Sequence, residues 1–232
     1  MAELTIYSSI GVRSAAEALF AQFEKTSGHK LAVTWGTAPM LGKRIESGET
    51  ADVLILSHAG IDALSKQGKI APGSDVTLAG SGVAIAVKAG APKPDISSPE
   101  ALKRTLLAAK SIAYSEPAAG GASGVYFAKL LERMGIAEQM KPKTKYPPAG
   151  GFSAELLLTG EAELAVQQKP ELLHVAGTEI VGFLPGDLNM VTQFAAGIML
   201  GSKNADVAKS LIAMLRSPGA KAAFNAKGLE PA

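Results

Sequence analysis

The first 70 residues alternate between short apolar runs and amphipathic helical patterns, and that alternation narrows the possible folds sharply. Leu4–Tyr7, Leu31–Trp35 and Val53–Leu56 read as strands. Ala16, Leu19, Phe20 and Phe23 recur at helical spacing and predict a helix from about Val12 to Lys25, with Gly28 suited to its C′ position. A second helix carries Leu41 and Ile45 and stops at Gly48. A third carries Ile61 and Leu64 and closes at Gly68. Apolar strands set between amphipathic helices predict a parallel sheet covered on both faces. Ligands of such sheets sit at the carboxyl ends of the strands, near a switch in strand order. Two polar elbows occupy that end: Ser8-Ser9-Ile10-Gly11 and Gly36-Thr37-Ala38-Pro39.

Gly82–Lys88 is a further apolar strand, and Ser98-Pro99 opens a helix through about Ala109 as N-cap and N1. The stretch IAYSEPAAGGASGVYFAKLLERM, Ile112–Met134, follows. It reads as a strand, a loop of small residues and a helix start, with Ser123 expected at the N-cap. Phe127, Leu130, Leu131 and Met134 form one buried helical face. The unpaired N–H groups and partial positive charge of such a helix start suit an anion's oxygens. The same residues also describe an ordinary strand–loop–helix turn packed with small side chains. An irregular connection, Lys141–Gly151, includes Gly150. A helix over 152–159, strands at Glu163–Gln167 and Thr178–Phe183, an apolar run at Val191–Leu200 and two closing helices complete the chain.

This second group of elements reads as a lobe inserted into the first. The expected division is residues 1–82 with 196–232 in one α/β lobe and 83–195 in the other. The chain is expected to cross near 81–84 and 194–197, with a ligand cleft between the lobes.

Composition excludes several functions. Charges nearly balance, 23 basic against 21 acidic, and no block of five like charges occurs, so no nucleic-acid or membrane surface is expected. With no cysteine there is no disulfide, thiolate metal site or cysteine nucleophile. No apolar run reaches the length of a membrane span. MAELTIYSS has neither a basic n-region nor an apolar h-region, so a periplasmic location would require a leader already removed, and a cytoplasmic one is otherwise expected. His29, His58 and His174 lie far apart without carboxylates at ligand spacing, so no metal site is expected. GGASG is not a dinucleotide fingerprint, and no cofactor is expected.

Arg13 follows the first elbow in the first turn of a helix. A cation there opposes the helix dipole, whereas a guanidinium suits a carboxylate ligand; an exposed helix charge is the alternative. Ser8, Ser9 and Thr37 are hydroxyls at strand ends, available for ligand contact or for capping. Gln167 and Gln168 are amide donors at the end of a second-lobe strand. No catalytic residue is assigned; Glu116 is a buried carboxylate, a capping group or a general base.

With these pieces in order, the chain resembles the periplasmic molybdate-binding proteins, the solute-binding components of ABC importers. TIYSSIGVRSAAEAL, LGKRIESGETADVLIL, SEPAAGGASGVYFAKLLERMG and GEAELAVQQKPEL carry the similarity over nearly the full length. The resemblance implies the type II periplasmic-binding-protein fold, each lobe a mostly parallel sheet flanked by helices. It also implies a small anion as ligand, an ABC permease as partner and a monomeric protein. The implied ligand positions are Ser8, Ser9, Gly11, Arg13, Thr37, Ala38, Ser123, Gly124, Gly150 and Gln168. The family usually has a serine hydroxyl where this chain has Gly11 and another where it has Ala38, and a tyrosine where it has Gln168. Losing about three hydrogen bonds, each worth roughly 1.5–3 kcal/mol toward a charged ligand, favours an organic carboxylate over a bare oxyanion. The VQQ-containing branch is also similar to bacterial aconitate isomerase, which implies a 1,3-proton shift as the alternative activity, with Glu116, Tyr7 or Lys145 as the base considered for it.

Overall fold

The computed structural model describes residues 1–232. In chain order the elements are β1 (Glu3–Ser9), α1 (Arg13–Ser27), β2 (Lys30–Gly36), α2 (Ala38–Glu46), β3 (Val53–Ser57), α3 (His58–Lys66), β4 (Val76–Lys88), α4 (Pro99–Ala108), β5 (Ile112–Tyr114) and α5 (Ala122–Arg133). They continue with α6 (Ala137–Met140), β6 (Thr144–Lys145), α7 (Glu155–Leu158), β7 (Leu164–Gln168), α8 (Lys169–His174), β8 (Thr178–Phe183), β9 (Val191–Ile198), α9 (Ala205–Leu215), α10 (Pro218–Ala226) and β10 (Glu230–Pro231). The chain divides into two compact units, Met1–Gly80 with Thr192–Ala232, and Ser81–Val191.

In the first unit β1 pairs in parallel with β2 and with β3, and β3 pairs antiparallel with β9. Side chains alternate across these strands as the pleat requires. Leu4, Ile6, Val53 and Ile55 join α1, α9 and α10 in one apolar cluster. Tyr7, Leu54 and Leu56 join Leu41, Ile45, Ile61 and Leu64 of α2 and α3 in another. Both faces of the central strand β3 are therefore buried, which explains its unbroken apolar run, Val53–Leu56. The α1 helix ends where Gly28 takes φ +72°, a left-handed conformation natural to glycine at this position.

The second unit repeats the plan with smaller side chains on one face. β5 is parallel to β6 and β7, and β4 runs antiparallel to β7 and β8. Val83, Ile85, Ile112 and Val166 pack with Leu102, Leu106, Phe127 and Leu130 of α4 and α5. The opposite face presents Ala84, Ala86, Ala113 and Ala165 to Ala154, Leu157 and Leu172. Alanines there let α7 and α8 lie close to the sheet.

Three expectations need correction. The strand foreseen at Gly82–Lys88 begins at Val76, because its first half has a partner of its own: Gly80 and Ala79 pair with Glu230 and Pro231. The helix foreseen over 152–159 contracts to Glu155–Leu158. Ser153 is committed elsewhere, its N–H and hydroxyl both donating to Gln167 Oε1 at 2.8 and 2.9 Å. Ser123 is not the N-cap of α5; Gly121 is, and Ser123 lies within the first turn.

Phe127 is fully buried and meets Tyr114 edge-on, with ring centroids 5.1 Å apart. Phe127→Ala removes that ring from the core beneath α5 and should cost about 3–5 kcal/mol, read as a lower urea midpoint with an unchanged m-value.

Candidate functional site

Each unit gathers polar groups at the carboxyl ends of its parallel strands. In the first unit Ser8 is wholly buried at the end of β1, its hydroxyl 3.5 Å from the Ser9 carbonyl. Ser9 caps a single 3-10 turn, its Oγ accepting the Gly11 N–H at 3.3 Å. Thr37, at the end of β2, caps α2 and accepts the Met40 N–H at 3.4 Å. Ser57, at the end of β3, caps α3 through the Gly60 N–H at 3.2 Å. A Cβ built on Gly60 would lie 3.2 Å from Ser57 Oγ and 3.7 Å from Ala38 Cβ, so the starts of α2 and α3 adjoin.

Gly11 has a packing reason to be glycine. A Cβ there would lie 2.5 Å from Cζ of the buried Phe194 ring, so that ring fills the volume a side chain at position 11 would need. Arg13 is engaged on its own unit. It pairs with Glu17 at 2.7 Å, one helical turn on, and its guanidinium lies 5.6 Å from the Trp35 ring centroid.

In the second unit the start of α5 lies directly against the loop after β5. A Cβ on Gly124 would come within 2.1 Å of the Ser115 carbonyl oxygen, an impossible distance, so only glycine allows this approach. Ser123 is 4% exposed, and its hydroxyl makes no hydrogen bond within the protein. The first N–H groups of α5 have no intrahelical acceptors, as at any helix start. Gln167, fully buried at the end of β7, ties the neighbouring loops together. Its Nε2 donates to Ser115 Oγ at 3.1 Å and to the Gly151 carbonyl at 3.4 Å, while its Oε1 accepts both Ser153 donors. Gly150 turns that loop with φ +79°.

Gln168 and Glu171 form a reciprocal capping box at the start of α8, with the Gln168 N–H 3.3 Å from Glu171 Oε2. Glu171 is 6% exposed. Burial pushes its carboxyl up to about 7, against the stabilising hydrogen bonds from Gln168 and Gln167.

A family model described as bacterial extracellular solute-binding protein matches residues 4–230. The chain belongs to this family. It is 35% identical to an aconitate isomerase from a Pseudomonas species, over 98% of this chain and 87% of that protein. It is 24% identical to the molybdate-binding protein of Escherichia coli, over 97% of this chain and 88% of that one. Among solved structures, the periplasmic molybdate-binding protein of Azotobacter vinelandii superposes with a TM-score of 0.79 at 21% identity, covering 97% of this chain and 98% of that one. The fold is accordingly the type II periplasmic-binding-protein fold.

Against that family background, the expected ligand residues sort by unit. Ser8, Ser9, Gly11, Thr37 and Ala38 cluster at the strand ends of the first unit. Ser123, Gly124, Gly150 and Gln168 belong to the strand ends and adjoining loops of the second. Of the candidate bases, Glu116 and Lys145 are exposed. Tyr7 is buried and donates to Glu49 at 2.7 Å, and Arg44 lies 5.2 Å from its ring centroid. Its phenol is held above the ordinary value, first by burial and then by Glu49. Sequence reasoning missed Ser57, Ser115, Ser153 and Glu171. The last had a signal in the spacing Gln168-x-x-Glu171, a capping-box pattern ahead of an apolar pair. A cavity of about 560 Å³ in the second unit lies at the other end of β7, among Val87, Pro92, Thr105, Leu157 and Leu164, apart from all of these.

The buried Glu171 has a measurable consequence for stability. Its folded value, about 7, lies above the ordinary 4.5, so the native state binds more protons than the unfolded state between those limits. Glu171 therefore costs nothing below about pH 4.5 and progressively destabilises the fold as pH rises to about 7, by roughly 3 kcal/mol in total. Glu171→Gln should remove this pH-dependent loss. Parallel pH–stability curves for the two proteins in denaturant titrations would show the assignment to be wrong.

Proposed function

We propose that this member of the solute-binding family binds a small organic carboxylate, as the receptor of an ABC importer acting outside the cytoplasm as a monomer. The observation that carries this reading is the start of α5. There a buried, unpartnered Ser123 hydroxyl shares one helical turn with N–H groups that lack intrahelical acceptors. Such a turn offers an anion both hydrogen bonds and the positive end of the helix dipole. The preference for a carboxylate follows from the first unit. Where a hydroxyl at position 11 would supply a donor, Phe194 presents a carbon surface against Gly11. Ala38 likewise brings only a methyl group to the start of α2. A ligand with a carbon skeleton loses less at such positions than a tetrahedral oxyanion, which needs a donor for every oxygen.

Thermal shifts with citrate, tricarballylate, trans-aconitate, succinate, sulfate and molybdate test the ligand class. Stabilisation by one or more of the carboxylates is expected, and a response to molybdate alone would overturn the preference. Ser123→Ala should weaken the carboxylate that binds by about ten- to hundredfold, the worth of one hydrogen bond to a charged group. Unchanged affinity in calorimetry would remove Ser123 from the site.

One observation favours a second reading. The aconitate isomerase is 35% identical over 98% of this chain, against 24% for the Escherichia coli molybdate-binding protein. An isomerase acting on a tricarboxylate would use the same anion-holding groups and add a proton-transfer step. Following cis-aconitate formation from trans-aconitate by chromatography distinguishes the two, and an absence of turnover rejects the enzyme.

A further inference from the structure

The carboxyl group of Glu171 has no cationic partner, although it is enclosed on every side. Of the charged groups on the elements packed around it, Lys169 on its own helix lies over the Phe183 ring, 5.1 Å from the centroid. His174 stacks on Phe152 with centroids 4.5 Å apart. On β8, Glu179 is paired with Lys93 at 3.4 Å. Glu163, just before β7, is paired with Lys110 at 3.8 Å. The hydrogen bond made to the carboxyl comes from a neutral group, the Gln168 backbone N–H at 3.3 Å, which directly follows Gln167 at the end of β7. Gln167 is also the junction that holds Ser115 Oγ, and the Ser115 carbonyl lies directly beneath Gly124 at the start of α5.

We propose that Glu171 is a positioning residue that couples anion binding at the start of α5 to the uptake of one proton. The proposal rests on the α5 anion reading given above and adds its regulation. In its neutral form the Glu171 carboxyl puts no negative charge behind the Gln167–Ser115 junction. When ionised, it places an uncompensated buried charge behind that junction, and an anion arriving at the start of α5 is repelled by it. An arriving carboxylate therefore favours protonation: one proton passes from solvent to a Glu171 oxygen as the ligand binds, and it is released when the ligand leaves. Its folded value of about 7 puts the transition in the neutral range.

The test measures trans-aconitate affinity by calorimetry from about pH 6 to about pH 8.5, with the proton binding of the free probe over this range, titrated separately, subtracted. Wild-type affinity should weaken by up to about tenfold per pH unit above about pH 7, the limit for one linked proton. Glu171→Gln should bind with nearly constant affinity across this range. Linkage is reciprocal, so the Glu171 carboxyl, followed by ¹³C NMR in the wild-type chain, should titrate at higher pH when trans-aconitate saturates the protein. This second measurement needs no variant and holds even where Glu171→Gln does not fold. A wild-type affinity independent of pH, a variant that keeps the slope, or a carboxyl titration unmoved by ligand would each overturn the proposal while leaving the anion site standing. An absence of binding by any anion of the panel at any pH would instead overturn the anion reading, and this proposal with it.

Discussion

A strand that ends inside a packed unit must pass its backbone groups to something that can hydrogen-bond them, and this requirement organises both units. Buried N–H groups without partners cost about as much as lost hydrogen bonds. Here polar side chains at the strand ends meet much of the demand. Ser9, Thr37 and Ser57 cap the turns after β1, β2 and β3. Gln168 and Glu171 do the same after β7. The polar groups that could meet a ligand are thus the ones the fold already needs at the carboxyl edge of its sheets, which is why function and capping are hard to separate there. The start of α5 differs. Its N-cap is Gly121, which has no side chain to offer, and the Ser123 hydroxyl has no partner in the protein.

Two glycines set the character of these edges by what packs against them. Gly11 leaves room for the Phe194 ring, giving the first elbow an apolar backing. Gly124 lets α5 descend onto the Ser115 carbonyl, bringing the helix start to the loop that Gln167 holds. Neither glycine has a positive φ, so close approach rather than backbone conformation explains both. The second unit also buries a carboxyl group beside its polar junction and gives it no counter-charge. A structural capping box on the surface would keep its glutamate ionised; burial makes this one titrate near neutrality.

Arg13 shows how tertiary contacts engage a side chain whose partners the sequence gives only in part. A guanidinium after a polar elbow suggests anion recognition, yet Glu17 lies one helical turn on and Trp35 lies on the neighbouring strand, and the side chain is engaged with both. The i,i+4 pair could be read from the chain itself. The aromatic contact could not, because β2 must first be paired with β1 for Trp35 to lie beside the start of α1.

The sequence by itself determined the alternation of strands and helices, the buried faces and most helix boundaries. Those follow from local periodicity and from Gly and Pro at turn positions, which depend on few distant contacts. It also determined the location of the elbows, since they are the segments between the periodic runs. Tertiary structure decided where the local pattern was a poor guide. β4 is long because β10, some 150 residues later, pairs with its first half. The helix after Gly151 is short because Gln167 takes the donors of Ser153. Glu171 is a titrating group rather than a surface cap because α8 packs against β7 and β8 and the carboxyl is buried there. In each case the deciding partner is remote in the chain, and burial and hydrogen-bond satisfaction are properties of the assembled unit.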